Sequence, residues 1–170
     1  VQYQSIFNLQ ILKMIFRKGQ LEDLQSMQQL FVDTIKNSCQ ADYNEEQIEV
    51  WTASIENTPR WLAIITQQIV VVAEDKGKIV GFASLDNGNY IDLMYVHHAH
   101  QRQGIAQQLY KELATTALEA GHTQLYSDIS KTARPFFESI GFKVVTEQTV
   151  IRKGITLNNF KMVKNLLPTI

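Results

Sequence analysis

The chain has 170 residues, 45% of them hydrophobic and 19% charged, a balance that fits one soluble globular domain and excludes the charge-rich, apolar-poor composition of disorder. Sixteen basic against seventeen acidic residues leave a formal charge of -1, so no global field recommends nucleic acid or an anionic membrane as a partner. A single cysteine, Cys39, allows neither an internal disulfide nor a cysteine-rich zinc site, and no apolar run approaches the ~20 residues of a membrane span, so the expected location is the cytoplasm.

Residues 1–13 lack the basic start and the cleavage site of a secretory signal, and they are read as an N-terminal extension or arm ahead of one domain, 14–170. IFRKG predicts a short first strand. Leu24, Met27, Phe31 and Ile35 recur at helical spacing and predict a helix over about 21–37. Asn44 and Gln47 form a capping box ahead of Ile48, Trp51 and Ile55, which predicts a second helix, ended by Thr58-Pro59. From Arg60 the period changes. RWLAIIT, QIVVVAE, KIVGFASL and NYIDLMYV are β-branched and aromatic runs, separated by turn signals at Asp75-Lys76-Gly77 and Asp86-Asn87-Gly88, and they predict an antiparallel meander. HQRQGIA then leads into a helix reaching about Ala120, with Gly121 just past its end and Ile105, Leu109, Leu113 and Ala117 on one face. HTQLYSDIS is the next strand, and the crossover predicts that it lies parallel to the strand ending at Val96. A short helix, ARPFFESI, and a hairpin turning at Lys153-Gly154 complete the order.

The chemistry concentrates at HQRQGIA. A glycine at a helix entry lets a ligand approach the backbone, and the first free N–H groups of the helix, backed by its dipole, form an anion site. Arg102 adds charge-assisted contacts, and Gln101 and Gln103 add neutral ones. A P-loop would need Lys-Ser or Lys-Thr after its last glycine, where this chain has Ile105-Ala106, and a dinucleotide fingerprint would need three glycines. Gln101-x-x-Gly104-x-Ala106 resembles the acetyl-CoA pyrophosphate motif Q/R-x-x-G-x-G/A of the GCN5-related N-acetyltransferases. YIDLMYVHHAHQRQGIA is similar to that family's fourth strand plus motif. SKTARPFFESIGF, about thirty residues on, is similar to its A-x-x-F-Y-x-x-x-G-F segment, and the resemblance spans roughly Met14 to Leu167.

The resemblance implies a mixed α/β fold: six to seven mostly antiparallel strands with a splayed parallel central pair, flanked by about four helices. It implies acetyl-CoA as cosubstrate without a metal, a small-molecule or peptide amine as acceptor, and a monomer or homodimer. Carried onto this chain, the backbone of Met94, Tyr95 and Val96 would hold the pantetheine arm, and Gln101, Arg102, Gln103, Gly104, Ile105 and Ala106 the pyrophosphate. The Val96 N–H would face the oxyanion. Asp92, which shares a face with Tyr90 and Val96 in an unbulged strand, is the first candidate for base or water relay. Where relatives carry an acidic tyrosine this chain has Phe137, which cannot donate a proton, so Tyr126 or Tyr95 is the candidate replacement. Ser130 occupies the position of an asparagine that contacts the cofactor arm in many relatives.

On the acceptor side, Tyr43, Trp51, Glu56 and Trp61 are the candidate lining, since Glu56 could attract a cation and the tryptophans could stack against it. Each also has a plain structural reading as core or solvated helix end. His97, His98 and His100 share one loop without the helical spacing of a metal site, and a position near the cofactor phosphates suits them better. Two other functions fit the same residues: a non-catalytic acyl-CoA sensor, and an interaction module whose turn binds nothing.

Overall fold

The computed structural model describes residues 13–167, so the expected N-terminal extension lies outside them except for Lys13. β1 (Ile15–Lys18) is followed by a 3-10 turn (Leu21–Asp23) and α1 (Leu24–Ser38), then α2 (Glu45–Thr52) and α3 (Thr58–Gln67). The meander is β2 (Ile69–Asp75), β3 (Lys78–Asp86) and β4 (Tyr90–Val96). After it come α4 (Ile105–Glu119), β5 (Gln124–Ser130), α5 (Arg134–Ser139), β6 (Lys143–Arg152) and β7 (Ile155–Asn165). The described residues thus contain one seven-stranded sheet in the order β1-β2-β3-β4-β5-β7-β6, and five α-helices rather than about four.

Three hairpins close through two residues that both have positive φ: Lys76-Gly77, Asn87-Gly88 and Lys153-Gly154. That twist matches the strands on either side, which is why these turns were readable in advance. The capping box is also as expected, with the Asn44 side chain accepting the Gln47 N–H at 2.9 Å and Gln47 Oε1 accepting the Asn44 N–H at 2.9 Å.

RWLAIIT is a helix, not a strand. Pro59 sits in the first turn of α3, where a missing N–H is harmless, and the Asn57 side chain caps the turn by accepting the Arg60 N–H at 3.2 Å. The proline therefore starts α3 instead of stopping α2, which ends at Thr52 and runs on as a 3-10 turn, Ala53–Glu56. Trp61 and Ile64, three residues apart, are the positions of α3 that reach the core.

Each sheet face packs its own helices. On one face α4 and α5 cover Leu85, Ile91 and Val96 with Ile105, Leu109, Leu113 and Phe137; on the other, α1 and α3 cover Val70, Phe82 and Leu93 with Phe31, Ile35 and Trp61. Leu109 and Phe82 are fully buried, each side chain contributing about 2 kcal/mol. At the β1 edge, Asp23 accepts Arg17 Nη1 at 2.7 Å, Arg17 Nη2 at 2.9 Å and the Gln20 N–H at 2.8 Å. The Arg17 guanidinium thereby holds the Asp23 carboxyl below the usual carboxylate range against the opposing effect of burial.

Two irregularities shape the middle of the sheet. β4 and β5, the one parallel pair among the described residues, are in register only at Tyr90–Tyr126 and Ile91–Ser127, after which they part. β3 pairs Ser84 with Leu93 and Leu85 with Ile91, so Asp92 is an extra residue bulged out of β4.

Candidate active site

The separation of β4 and β5 leaves an edge inside the sheet. The His97 N–H donates to the Val80 carbonyl at 2.8 Å, which assigns the backbone of His97, and by alternation that of Tyr95, to β3. The N–H and C=O of Met94 and Val96 consequently point toward the gap. Thr34 Oγ1 and Gln101 Nε2 donate to the Val96 carbonyl at 3.3 and 3.1 Å, so its N–H is the group left for a ligand. A cleft of about 1390 Å³ occupies the gap and continues to the first turn of α4, where Arg102, Gly104, Ile105, Ala106 and Gln107 line it.

That first turn is built for close approach. Arg102 and Gly104 have φ of 63° and 83°, left-handed values that a glycine adopts without strain, and they reverse the chain so that the α4 amides face the cleft. Ile105 and Leu109 anchor the helix in the core. Gly81 lets it settle onto β3, since a Cβ there would lie 3.0 Å from Ile105 Cγ2. Free amides, a helix dipole and Arg102 then converge where an anion can enter.

On the opposite side of β4 the bulge turns Asp92 toward α3. Its Oδ1 accepts Arg60 Nη2 at 2.8 Å and its Oδ2 accepts Gln68 Nε2 at 2.7 Å. Tyr90 lines the same cleft, and burial, reinforced by the charges of Asp128 and Asp92, pushes its phenol up from the ordinary range. Phe137 is buried against Phe136 and Phe142, at ring distances of 5.5 and 5.1 Å, and presents no hydroxyl.

A split parallel pair, a glycine-entered helix and one cleft joining them coincide in a region that the model of the acetyltransferase (GNAT) domain matches over residues 39–164. The chain is a GCN5-related N-acetyltransferase. It is 33% identical over 146 residues to the uncharacterized N-acetyltransferase YafP of Escherichia coli K12, covering 86% of this chain and 92% of that one. Among solved structures, a GCN5-related N-acetyltransferase of Rhodopseudomonas palustris, also described as a class-II aminotransferase, is 30% identical, with a TM-score of 0.86 over 89% of this chain and 94% of its own. The PaiA N-acetyltransferase of Thermoplasma acidophilum, in complex with coenzyme A, shares the fold at 18% identity, with a TM-score of 0.71 over 89% of this chain and 98% of its own.

Within this acetyltransferase, Met94, Tyr95, Val96, Gln101, Arg102, Gly104, Ile105, Ala106, Ser130 and Phe137 all line the cleft. Their roles differ from the sequence expectation in several places. The Tyr95 backbone belongs to β3, and its ring lies on the α1 side, 4.8 Å from Phe31. Gln101 turns its amide inward to Ser38 Oγ and the Val96 carbonyl, bracing the loop. Gln103 is not part of the lining, and Ser130 Oγ accepts the Ala133 N–H at 3.1 Å, serving the start of α5. Because of the bulge, Asp92 packs toward α3 while Val96 faces the α4 core, so the two do not share a face.

Tyr126 is 40% exposed, donates its hydroxyl to Gln124 Oε1 and stands outside the cleft lining. Of the acceptor-side residues, Tyr43, Trp51 and Trp61 line the cleft; the Glu56 side chain is 74% exposed, 3.7 Å from Lys153 Nζ and outside it. Cys39 is buried, and burial pushes its thiol up, away from the thiolate that a nucleophile needs. His98 and His100 line the cleft. His97 accepts the Ala99 N–H at Nδ1, and burial with its two histidine neighbours pushes its imidazole down. Among the described residues, no three His, Cys, Asp or Glu side chains gather as a metal cluster, and no helix is long and apolar enough to cross a membrane.

Arg60, Gln68, Gln107 and Asp128 were not singled out from the sequence. Gln107, three residues past Gly104 in the first turn of α4, could have been found from spacing alone. Arg60 and Gln68 could not, because they meet Asp92 only once RWLAIIT is a helix.

Proposed function

We propose that this acetyltransferase moves an acetyl group from acetyl-CoA to a primary amine by direct attack on the thioester. The observation that carries the reading is the cleft itself, which joins the open edge of β4 to the anion site at α4. The Thermoplasma acidophilum neighbour in complex with coenzyme A and the Salmonella typhimurium acetyltransferase solved with acetyl-CoA support this choice of cosubstrate.

The α4 amides and Arg102 would bind the pyrophosphate, and the outward-facing N–H and C=O of Met94 would pair with the amide-containing arm. The Val96 N–H then lies where a thioester oxygen gains negative charge, and a backbone donor fixed in that position lowers the barrier without reorganising. The amine must lose a proton to attack, since an alkyl ammonium titrates near about 10.4. Asp92 is our candidate for taking that proton, directly or through water, and passing it to solvent at the cleft mouth. One C–N bond forms and one C–S bond breaks. With Phe137 in place of a donor, the sulfur departs as thiolate, which a thiol pKa of about 8.5 permits near neutrality.

Thiol release from acetyl-CoA, followed with and without an amine panel, tests the reading. Amine-dependent release is expected. Tight binding of CoA with no amine-dependent release would indicate the sensor instead, and no binding of CoA would overturn both.

A further inference from the structure

The acceptor side of the cleft has a composition that selects among amines. Phe31, Tyr43, Trp51, Trp61 and Tyr95 form its wall. The rings interlock edge to face: Phe31 with Trp61 at 5.2 Å, Phe31 with Tyr95 at 4.8 Å, and Tyr43 with Trp51 at 5.2 Å. The polar tips of the rear members are already used by backbone. The Tyr43 hydroxyl donates to the Asn158 carbonyl at 2.8 Å and accepts the Lys131 N–H at 2.9 Å, and Trp61 Nε1 donates to the Ser54 carbonyl at 3.2 Å. Trp51 and Tyr95 are the less buried members of the wall, and both line the cleft. The wall is therefore fixed before any ligand arrives, so a ring placed on it gains contact without ordering side chains.

Charge points the same way. Among the described residues, the carboxylates lining the cleft are Asp92 and Asp128, and the guanidinium groups are Arg60, Arg102 and Arg152. Asp92 is engaged by Arg60, and Arg102 belongs to the anion site at α4. Asp128 acts on the Tyr90 phenol, so two carboxylates face three guanidinium groups and the lining holds no surplus of negative charge. A polyamine carries several positive charges and would find no matching set of anions here. Asp92 and Tyr95 both face the α1 and α3 side of β4, which puts the proton acceptor and the aromatic wall within one compartment.

From the wall and the charge set together, we infer that the acceptor is a small aromatic amine carrying a single positive charge, its ring against Trp51 and Tyr95 and its amine directed to Asp92. The inference rests on the acetyl-CoA reading above. Two ring contacts of ordinary strength correspond to a preference of roughly tenfold or more over an aliphatic amine of equal length.

The test compares 2-phenylethylamine, hexylamine, spermidine and an N-terminal alanine peptide as acceptors for the full chain, with calorimetry of CoA alongside. The expected result is that 2-phenylethylamine has a kcat/KM at least about tenfold above each of the others. In Trp51→Leu, checked for folding by its thermal melt, that ratio should fall toward one through a raised KM for the aromatic amine. A preference for hexylamine, spermidine or the peptide, or no turnover of the aromatic amine by a protein that turns over one of the others, overturns the inference and leaves the acetyl-CoA reading standing; CoA binding with turnover of none of the four removes the acetyl-transfer reading and the inference together. Absence of CoA binding removes that reading, and the inference with it.

Discussion

Replacing Gly104 with aspartate places a carboxylate at the first turn of α4, where the account puts a pyrophosphate. At a separation of about 5 Å and an effective dielectric of about 20, each pair of like charges costs about 3 kcal/mol, and in full bulk-water screening about 0.8 kcal/mol. The turn borders an open cleft, so an intermediate total of about 3 kcal/mol for the two phosphate charges is the working figure, equivalent to roughly a hundredfold loss of affinity. Folding should survive. Gly104 has a φ of 83°, and a side chain in that region costs about 1–2 kcal/mol, with aspartate at the low end because it visits the left-handed region more readily than most residues. A negative charge at the helix N-terminus returns about 0.3–1 kcal/mol of this. A net loss near 1 kcal/mol lowers the Tm by about 2–4 °C in a chain of this size. Titration calorimetry with CoA reads the affinity, and Gly104→Ala, with similar strain and no charge, should lose much less. A folded Gly104→Asp variant that binds CoA as tightly as the parent would refute the anion site.

Asp92→Asn should lower kcat about tenfold or more while CoA affinity stays within twofold, and equal kcat in the two proteins would remove Asp92 from the proton path. Gln68→Leu, which frees one oxygen of that carboxylate, should lower kcat in the parent but add little in an Asp92→Asn background; additive losses would show that Gln68 acts elsewhere. Phe137→Tyr should leave kcat within about threefold if sulfur departs unprotonated, and a large gain would show that the missing donor limits turnover. Asp23→Asn should cost about 1.5–3 kcal/mol at neutral pH by breaking the charge-assisted bonds to Arg17. Because folding lowers the Asp23 pKa, the parent's advantage is complete above its unfolded value near 3.9 and disappears as pH falls through the lower folded value. Denaturant melts of both proteins at pH 7 and pH 2.5 measure this, and a gap that persists undiminished at pH 2.5 contradicts the ion-pair explanation.

The parts of the fold that were legible in the sequence are those fixed by local chemistry. The three positive-φ turns, the Asn44–Gln47 box and the Gly121 helix end depend on a few adjacent residues, and so does the glycine that opens α4. RWLAIIT failed because a seven-residue apolar run fits either period, and its beginning is decided by the Asn57 cap and by Pro59 in a first turn. The bulge at Asp92 was invisible for a different reason. It is a mismatch between β3 and β4, and the parity of every side chain beyond it depends on a partner strand that one strand's own residues do not specify.

The candidate site divides along the same line. Backbone features around Gly104 follow from the turn itself, so Arg102, Gly104, Ile105 and Ala106 come together along the cleft at the entry to α4. Side-chain roles depend on what else arrives. Gln101 finds the Val96 carbonyl and Ser38 closer than any ligand, Tyr126 finds Gln124, and Glu56 stays in solvent near Lys153. The aromatic wall joins residues from α1, the α1–α2 loop, α2, α3 and β4; the sequence offered Tyr43, Trp51 and Trp61 as candidate lining, while Phe31 read as core and Tyr95 as a cofactor-strand residue.

Amide hydrogen exchange with and without CoA tests most directly whether the gap in the sheet and the first turn of α4 are one ligand site. CoA should slow exchange in peptides spanning 93–97 and 104–108, through Val96 on the strand and the free amides of α4, and leave the β6–β7 hairpin tip unchanged. Binding of CoA that protects neither segment, or protects only residues outside the cleft, would contradict the single site.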